Sequence, residues 1–232
     1  MRIDTSGFQH QNMGVEMLRL FLPKFLLFFL ASGLFAQSFH SIQFGGGLVL
    51  PRASSKGLSA QVQYNYSLNE TYNFYIYSGY FTWDKYNITF IGKSAPYGTE
   101  KLFYSHGSDN HVLIPVYFGT RINFNTIKSF TTFIELEAGY SYLSYTAYGH
   151  IKETDPETGY TLSYYADQSS AQNTVKNLFG VGFGLGVFHP IAQTVNVVLS
   201  YKLNSNFNAS ESGFFSAFGT YSTLFFGLGI NI

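Results

Sequence analysis

The last nine residues, Leu224 to Ile232, set Leu224, Phe226, Leu228, Ile230 and Ile232 on one side of an extended chain, with Gly227, Gly229 and Asn231 between them. Large apolar side chains alternating with small or polar ones at a period of two describe a strand, because a helix repeats near 3.6. The same beat recurs along the sequence. Ile42, Phe44, Leu48 and Leu50 alternate with Gln43, Gly45, Gly47 and Val49, and Leu58, Ala60, Val62, Tyr64 and Tyr66 alternate with Ser59, Gln61, Gln63, Asn65 and Ser67. A third segment, Tyr72 to Trp83, is aromatic on both sides, so its orientation stays open. The fourth sets Val112, Ile114, Val116, Phe118 and Ile122 against Leu113, Pro115, Tyr117, Gly119, Arg121 and Asn123, where the proline lacks a ladder donor and suggests a bulge or strand start. A fifth sets Ile134, Leu136, Ala138, Tyr140 and Tyr142 against Phe133, Glu135, Glu137, Gly139 and Ser141. The sixth sets Phe179, Val181, Phe183, Leu185 and Val187 against four glycines, and the seventh sets Val195, Val197, Leu199, Tyr201 and Leu203 against Asn196, Val198, Ser200, Lys202 and Asn204. With the C-terminal run these make eight segments of about the 9–11 residues that cross a bilayer as tilted strands. An even number of such strands, greasy on one side, predicts an all-β, up-and-down antiparallel transmembrane barrel with lipid outside and a filled interior.

Composition points the same way. Charged residues make up 11% and aromatic residues 19% of the 232, where an average soluble domain is about one quarter charged. The formal charge is zero, so no basic excess argues for nucleic acid. The chain has no cysteine, which removes disulfides, zinc-thiolate sites, thiol nucleophiles and lipidation of an N-terminal Cys.

From Met17 the chain reads MLRLFLPKFLLFFLASGLFAQ, with Arg19 and Lys24 ahead of an uncharged run from Phe25 to Ala36. A charged head, an apolar stretch of roughly 7–15 residues and small residues form the layout of a secretory signal peptide. The uncharged run is too short for a spanning helix of about 20 residues. Cleavage falls after Ala36 or after Gly33, and either Met1 or Met17 is the start. The expected organisation is an extension and signal-peptide helix over 1–36, then one barrel domain over 37–232. Short connections around Asn69, Asn125 and Pro190 contrast with long polar ones over Asp84–Asn110 and Tyr148–Asn173. That asymmetry matches periplasmic turns and external loops.

The Tyr64–Phe74 hairpin, the Ile114-Pro-Val-Tyr-Phe118 segment and the C-terminal alternating strand resemble the small eight-stranded outer-membrane β-barrel, porin-like family of Gram-negative bacteria. The resemblance covers residues 39–232. It implies residence in the outer membrane among its lipids, and docking of the C-terminal strand on the barrel-assembly machinery. Many relatives end in an aromatic residue, whereas this chain ends in Ile232 with Phe226 as the nearest aromatic in phase.

An eight-stranded barrel is only wide enough for side chains to fill it, so an open pore is not expected. Strand parity turns Arg121, Glu135, Glu137 and Lys202 inward, where they must pair, since an unpaired buried charge costs several kcal/mol. The glycines of the sixth segment leave room for them. Tyr64, Tyr66, Phe74, Tyr140, Tyr142 and Tyr201 are candidates for aromatic girdles at the two membrane interfaces, or for packing against neighbours. In the first long loop His106 precedes Ser108 by two, like the His-x-Ser of outer-membrane lipid A deacylases, but no acid partner is evident there. His106, Asp109 and His111 lack the strict spacing of a metal site. Glu153, Asp155 and Glu157, in the second loop, read as a hydrated charge run with weak calcium binding as the alternative. No cofactor is expected. The function that follows is non-enzymatic: external loops engaging an extracellular ligand, or support of membrane integrity. A lipid hydrolase and a narrow passive channel are the alternatives.

Overall fold

The computed structural model describes residues 40–52, 54–124, 129–207 and 219–232, and the signal-peptide assignment lies outside them. Nine strands run in chain order: β1 (His40–Pro51), β2 (Gly57–Ser67), β3 (Tyr72–Trp83), β4 (Tyr86–Ser94), β5 (Thr99–Asn123), β6 (Thr131–Thr154), β7 (Thr161–Pro190), β8 (Val195–Asn206) and β9 (Thr220–Asn231). Every pairing is antiparallel. β1 pairs with both β2 and β9, and β3 pairs with β5, which closes the ring β1-β2-β3-β5-β6-β7-β8-β9. The barrel wall therefore has eight strands, as the sequence predicts. The ninth, β4, lies outside the ring and continues the line of β3 along the upper half of β5.

Closure explains the alternation. Phe44, Leu58, Val62, Phe118, Leu136, Phe183, Leu185 and Phe226 are all exposed on the outer wall, while Gln43, Gln63, Arg121, Glu135, Lys202 and Phe225 are buried inside. A cylinder that shows its apolar side chains to its surroundings is solvated by hydrocarbon, because water would penalise so large a continuous patch. β3 settles its two-sided aromatic pattern by turning Tyr75, Tyr77, Phe81 and Trp83 inward and Phe74 and Tyr80 outward. Pro115 lies inside β5, not at a bulge or a strand start. It pairs with Ser141 on one side, while the β3–β5 register skips the positions opposite Pro115 and Ile114, where the missing donor would fall.

Two predicted loops are corrected. Asp84–Asn110 and Tyr148–Asn173 are mostly strand: β4 returns as β5 around a turn at 95–98, and β6 returns as β7 around a turn at 155–160. Their Thr, Tyr, Ile and Phe residues favour pleated backbone. Polarity alone suggested loops because neither face of these segments meets lipid.

The two hairpins pack on each other. Phe90 stacks on Tyr164 with centroids 4.4 Å apart and meets His150 at 4.8 Å, and Phe103 lies 5.8 Å from Tyr164. A Cβ on Gly92 would press on Thr161, and one on Gly98 would lie 3.2 Å from the Tyr160 ring. Bulges at Tyr86/Asn87 and Asp109/Val112 each add one residue to β5, so Ser108 turns inward between them while Leu102 and Tyr104, beyond both, face outward like Ile114 and Val116.

Candidate functional site: the lumen and the outer hairpins

The lumen is filled in three layers. At the short-turn end Phe133, Val198 and Phe225 form one apolar cluster, with Phe188 packed against it. Toward the outer end a larger cluster holds Tyr75, Tyr77, Phe81, Trp83, Leu113, Tyr117, Leu143, Tyr145, Leu178 and Tyr221 with Val49. Between them lie the four charged residues.

Arg121 from β5 bonds Glu135 from β6 through Nε at 2.8 Å and Nη2 at 2.7 Å, while Nη2 also donates to Gln43 at 3.0 Å. The Lys202 ammonium, from β8, lies 3.0 Å from Glu135 Oε2 and 3.0 Å from Glu137 Oε2. Glu137 further accepts from Tyr75 at 2.7 Å, from Tyr77 at 3.0 Å and from Asn204 at 2.6 Å. Each carboxylate oxygen thus faces a cation or a donor, the condition under which buried charges are tolerated. The cations also sit over rings: Arg121 is 4.1 Å from the Phe133 centroid and Lys202 is 4.2 Å from that of Tyr77.

The glycine face of β7 gives the cluster its room. A Cβ on Gly182 would approach Glu137 Oε1 to 2.7 Å, and one on Gly184 would meet Lys202 Cγ at 3.0 Å and Glu135 Oε2 at 3.1 Å. Tyr75, Tyr77 and Asn204, which complete the site, were missed as a group in the sequence. Inward parity on β8 implied Asn204, but β3 offered no parity to read.

The six aromatic candidates divide by height. Tyr64, Tyr66 and Phe74 sit near the short-turn rim, where Tyr64 Oη bonds His40 Nδ1 at 2.6 Å. Tyr140 and Tyr142 lie well up β6, Tyr140 against Phe179 and bonded to Asn177. Tyr201 is in the middle of β8, where its hydroxyl donates to Ser222 Oγ at 2.8 Å rather than sitting at a rim.

His106 and Ser108 do not pair. His106 lies against the Tyr148 ring on the outer face, whereas Ser108 turns inward and bonds His111 Nε2 at 3.0 Å. A bulge between His106 and Ser108 separates what regular strand spacing would have put on one side. The His111 ring is buried between Trp83 (5.1 Å) and Tyr145 (5.3 Å), and its Nδ1 bonds the Asp84 carbonyl at 2.6 Å. A carbonyl only accepts, so Nδ1 carries the proton and the neutral ring accepts from Ser108 through Nε2.

Asp109 takes the Tyr148 hydroxyl at 3.0 Å, so His106, Asp109 and His111 are not gathered around a common point. Burial and then the Asp109 carboxylate push the Tyr148 hydroxyl pKa upward. Glu153 accepts from Ser163 at 2.7 Å. Asp155 accepts the backbone N–H groups of Thr158 and Glu157, each at 2.9 Å, which lower its carboxyl pKa. These acids serve hairpin and turn, and among the described residues no group of three or more His, Asp or Glu is placed to hold a metal.

No protein-family model matches the sequence, and no curated protein matches it. Solved structures do match. Neisserial surface protein A superposes with a TM-score of 0.53 at 13% identity, over 83% of this chain and 97% of that one. A major outer membrane protein from Thermus thermophilus superposes with a TM-score of 0.54 at 14% identity, over 85% of this chain and all of that one. With its closed eight-strand ring and lipid-facing wall, this chain has the fold of a small outer-membrane β-barrel.

Proposed function

We propose that the chain is a non-enzymatic outer-membrane barrel, exported by its N-terminal signal, whose lumen is sealed and whose work is done by the packed external hairpins. The observation that carries this is the filled lumen: Arg121, Glu135, Glu137 and Lys202 are buried and paired, with an apolar cluster on either side of them. The hairpins supply exposed surface on a supported framework, which suits recognition. The C-terminal strand is read as the segment that engages the barrel-assembly machinery.

The test has two parts. Protein taken from isolated outer membranes migrates differently boiled and unboiled, and the purified barrel gives no discrete conductance steps in planar bilayers. Regular steps would overturn the sealed-lumen reading. A hydrolase reading has one point in its favour, the Ser108–His111 hydrogen bond, but both residues are buried beneath aromatic rings, where an acyl chain has no approach. Loss of a measurable lipid hydrolysis on Ser108→Ala, with the gel shift retained, would revive it.

A further inference from the structure

The β4–β5 hairpin meets the ring through a gap in the ladder. The β3–β5 pairing runs up to Trp83 and His111, and the β4–β5 pairing starts above it at Tyr86 and Ser108. On its other side β5 pairs with β6 up to Val112 and Ser144, then resumes at Asp109 and Thr146. Asn110, between the breaks, has a left-handed φ of 52°. From Ile122 to Val112 β5 spans roughly the 25 Å of an apolar band, at about 3.3 Å per residue and a tilt near 40°. The gap lies just above that band, at the outer mouth.

Side chains supply the bonds that the ladder lacks there. Ser55 Oγ accepts the backbone N–H groups of Asp84 at 3.1 Å and of Lys85 at 3.0 Å. His111 adds two more. Its Nδ1–H donates to the Asp84 carbonyl at 2.6 Å, and its Nε2 accepts from Ser108 at 3.0 Å. The ring lies parallel to Trp83, 5.1 Å away with 7° between the planes, and stacks on Tyr145 at 5.3 Å. A single buried imidazole thus ties β3, β5 and β6 together where the hairpin leaves the barrel.

The two bonds use the neutral ring. Protonation makes Nε2 a donor as well, so the Ser108 hydrogen that it accepts has to swing away. The charged and titratable groups around the ring are Asp84, Lys85 and Tyr86 from the β3–β4 junction, Asp109 from β5 and Tyr145 from β6. Asp109 is itself bonded by the Tyr148 hydroxyl. Burial outweighs the nearby carbonyls and carboxylates and holds the ring's pKa below the ordinary imidazole value. An opened junction lets water reach the ring and restores that ordinary value. The closed form is therefore fully favoured above about pH 6.5 and loses ground as pH falls from there toward the lowered value.

We infer that His111 is an acid-released latch, which holds the base of the β4–β5 hairpin to the barrel mouth when neutral and frees it when protonated. This is a regulation of the hairpins read above as the working part, and it rests on that reading. The ring of strands below keeps its own ladder throughout, so release moves the hairpin and not the barrel.

Trp83 reports the latch directly, being the one tryptophan of the chain and in contact with the ring. A protonated imidazole quenches an indole that it touches. With the full chain in detergent micelles, acidification from about pH 8 to about pH 5 should dim and red-shift Trp83 emission, with a midpoint below about 6.5. His111→Gln, which keeps a donor and an acceptor but cannot titrate, should flatten the response. His106→Gln and His150→Gln should leave it in place. In the native chain, amide protection relative to free-peptide exchange at the same pH should fall several-fold over residues 84–94 and hold over 112–123. Flat emission from the native chain, or a response that survives His111→Gln, overturns the inference. Should His111→Gln lose its gel shift, the exchange pattern of the native chain decides, and a loss that is absent or spread through the barrel overturns it. A silent bilayer with pH-blind Trp83 emission retires the latch and leaves the sealed barrel standing. Conductance steps with a titrating Trp83 do the reverse.

Discussion

Lys202 is the residue on which the buried charges turn, because it touches both carboxylates. Lys202→Met leaves Glu135 with Arg121 as its one cation beside the Gln63 amide and Glu137 with neutral donors only, and removal of one partner from a buried ionic set costs about 3–5 kcal/mol. Urea unfolding in lipid vesicles, followed by Trp83, the one tryptophan of the chain, should show that loss. Adding Glu137→Gln should recover part of it. Gly182→Ala tests the space across the lumen: its Cβ presses on Glu137, and overpacking of this kind costs about 1–3 kcal/mol. Gly229→Ala, whose nearest neighbour would be Gln43 at 3.3 Å, should be milder in the same assay. Parity along single strands was enough to read Arg121, Glu135, Glu137 and Lys202 as one face. The Tyr75 and Tyr77 hydroxyls were not readable, since a strand with aromatics at both parities names no inside.

At the level of elements the two hairpins are held to each other by a few rings and anchored at their tips by turn chemistry. Phe90→Ala removes the stack on Tyr164 and the contact with His150. Limited proteolysis should then cut within 87–106 or 149–166, while the barrel below keeps its gel shift. The Asp155 turn carries a pH dependence of definite sign. Its carboxyl pKa lies below the ordinary value because the N–H groups of Thr158 and Glu157 favour the anion. The support it gives is therefore complete above the ordinary carboxylate range and fades as pH falls through the lowered value. Protection of the Glu157 and Thr158 amides, taken relative to free-peptide exchange at the same pH, should fall on acidification in the native chain and should be lost at every pH in Asp155→Ala. These hairpins were the least legible part of the sequence. Lipid-facing strands announce themselves by alternating grease and polarity, whereas β4 and the upper reaches of β5, β6 and β7 alternate between water and a small aromatic seam, with bulges that reset the count.

For the whole molecule, two apolar clusters flank one ionic set inside the ring. Replacing Arg121, Glu135, Glu137 and Lys202 together by neutral residues should leave the bilayer silent, because Phe133, Val198 and Phe225 still block one end and Trp83, Tyr117 and Tyr221 the other. Conductance should appear only when Phe133→Ala and Tyr117→Ala are added. The closed ring was legible because eight phases of one rhythm leave a sheet no unpaired edge within the bilayer. The ionic layer has a last consequence, an electrical one. Two cations stand against two carboxylates at nearly one depth, so a voltage across the membrane finds no net charge to drag, where each uncompensated elementary charge would gain about 2.3 kcal/mol per 100 mV. The stopper therefore offers a membrane potential no handle.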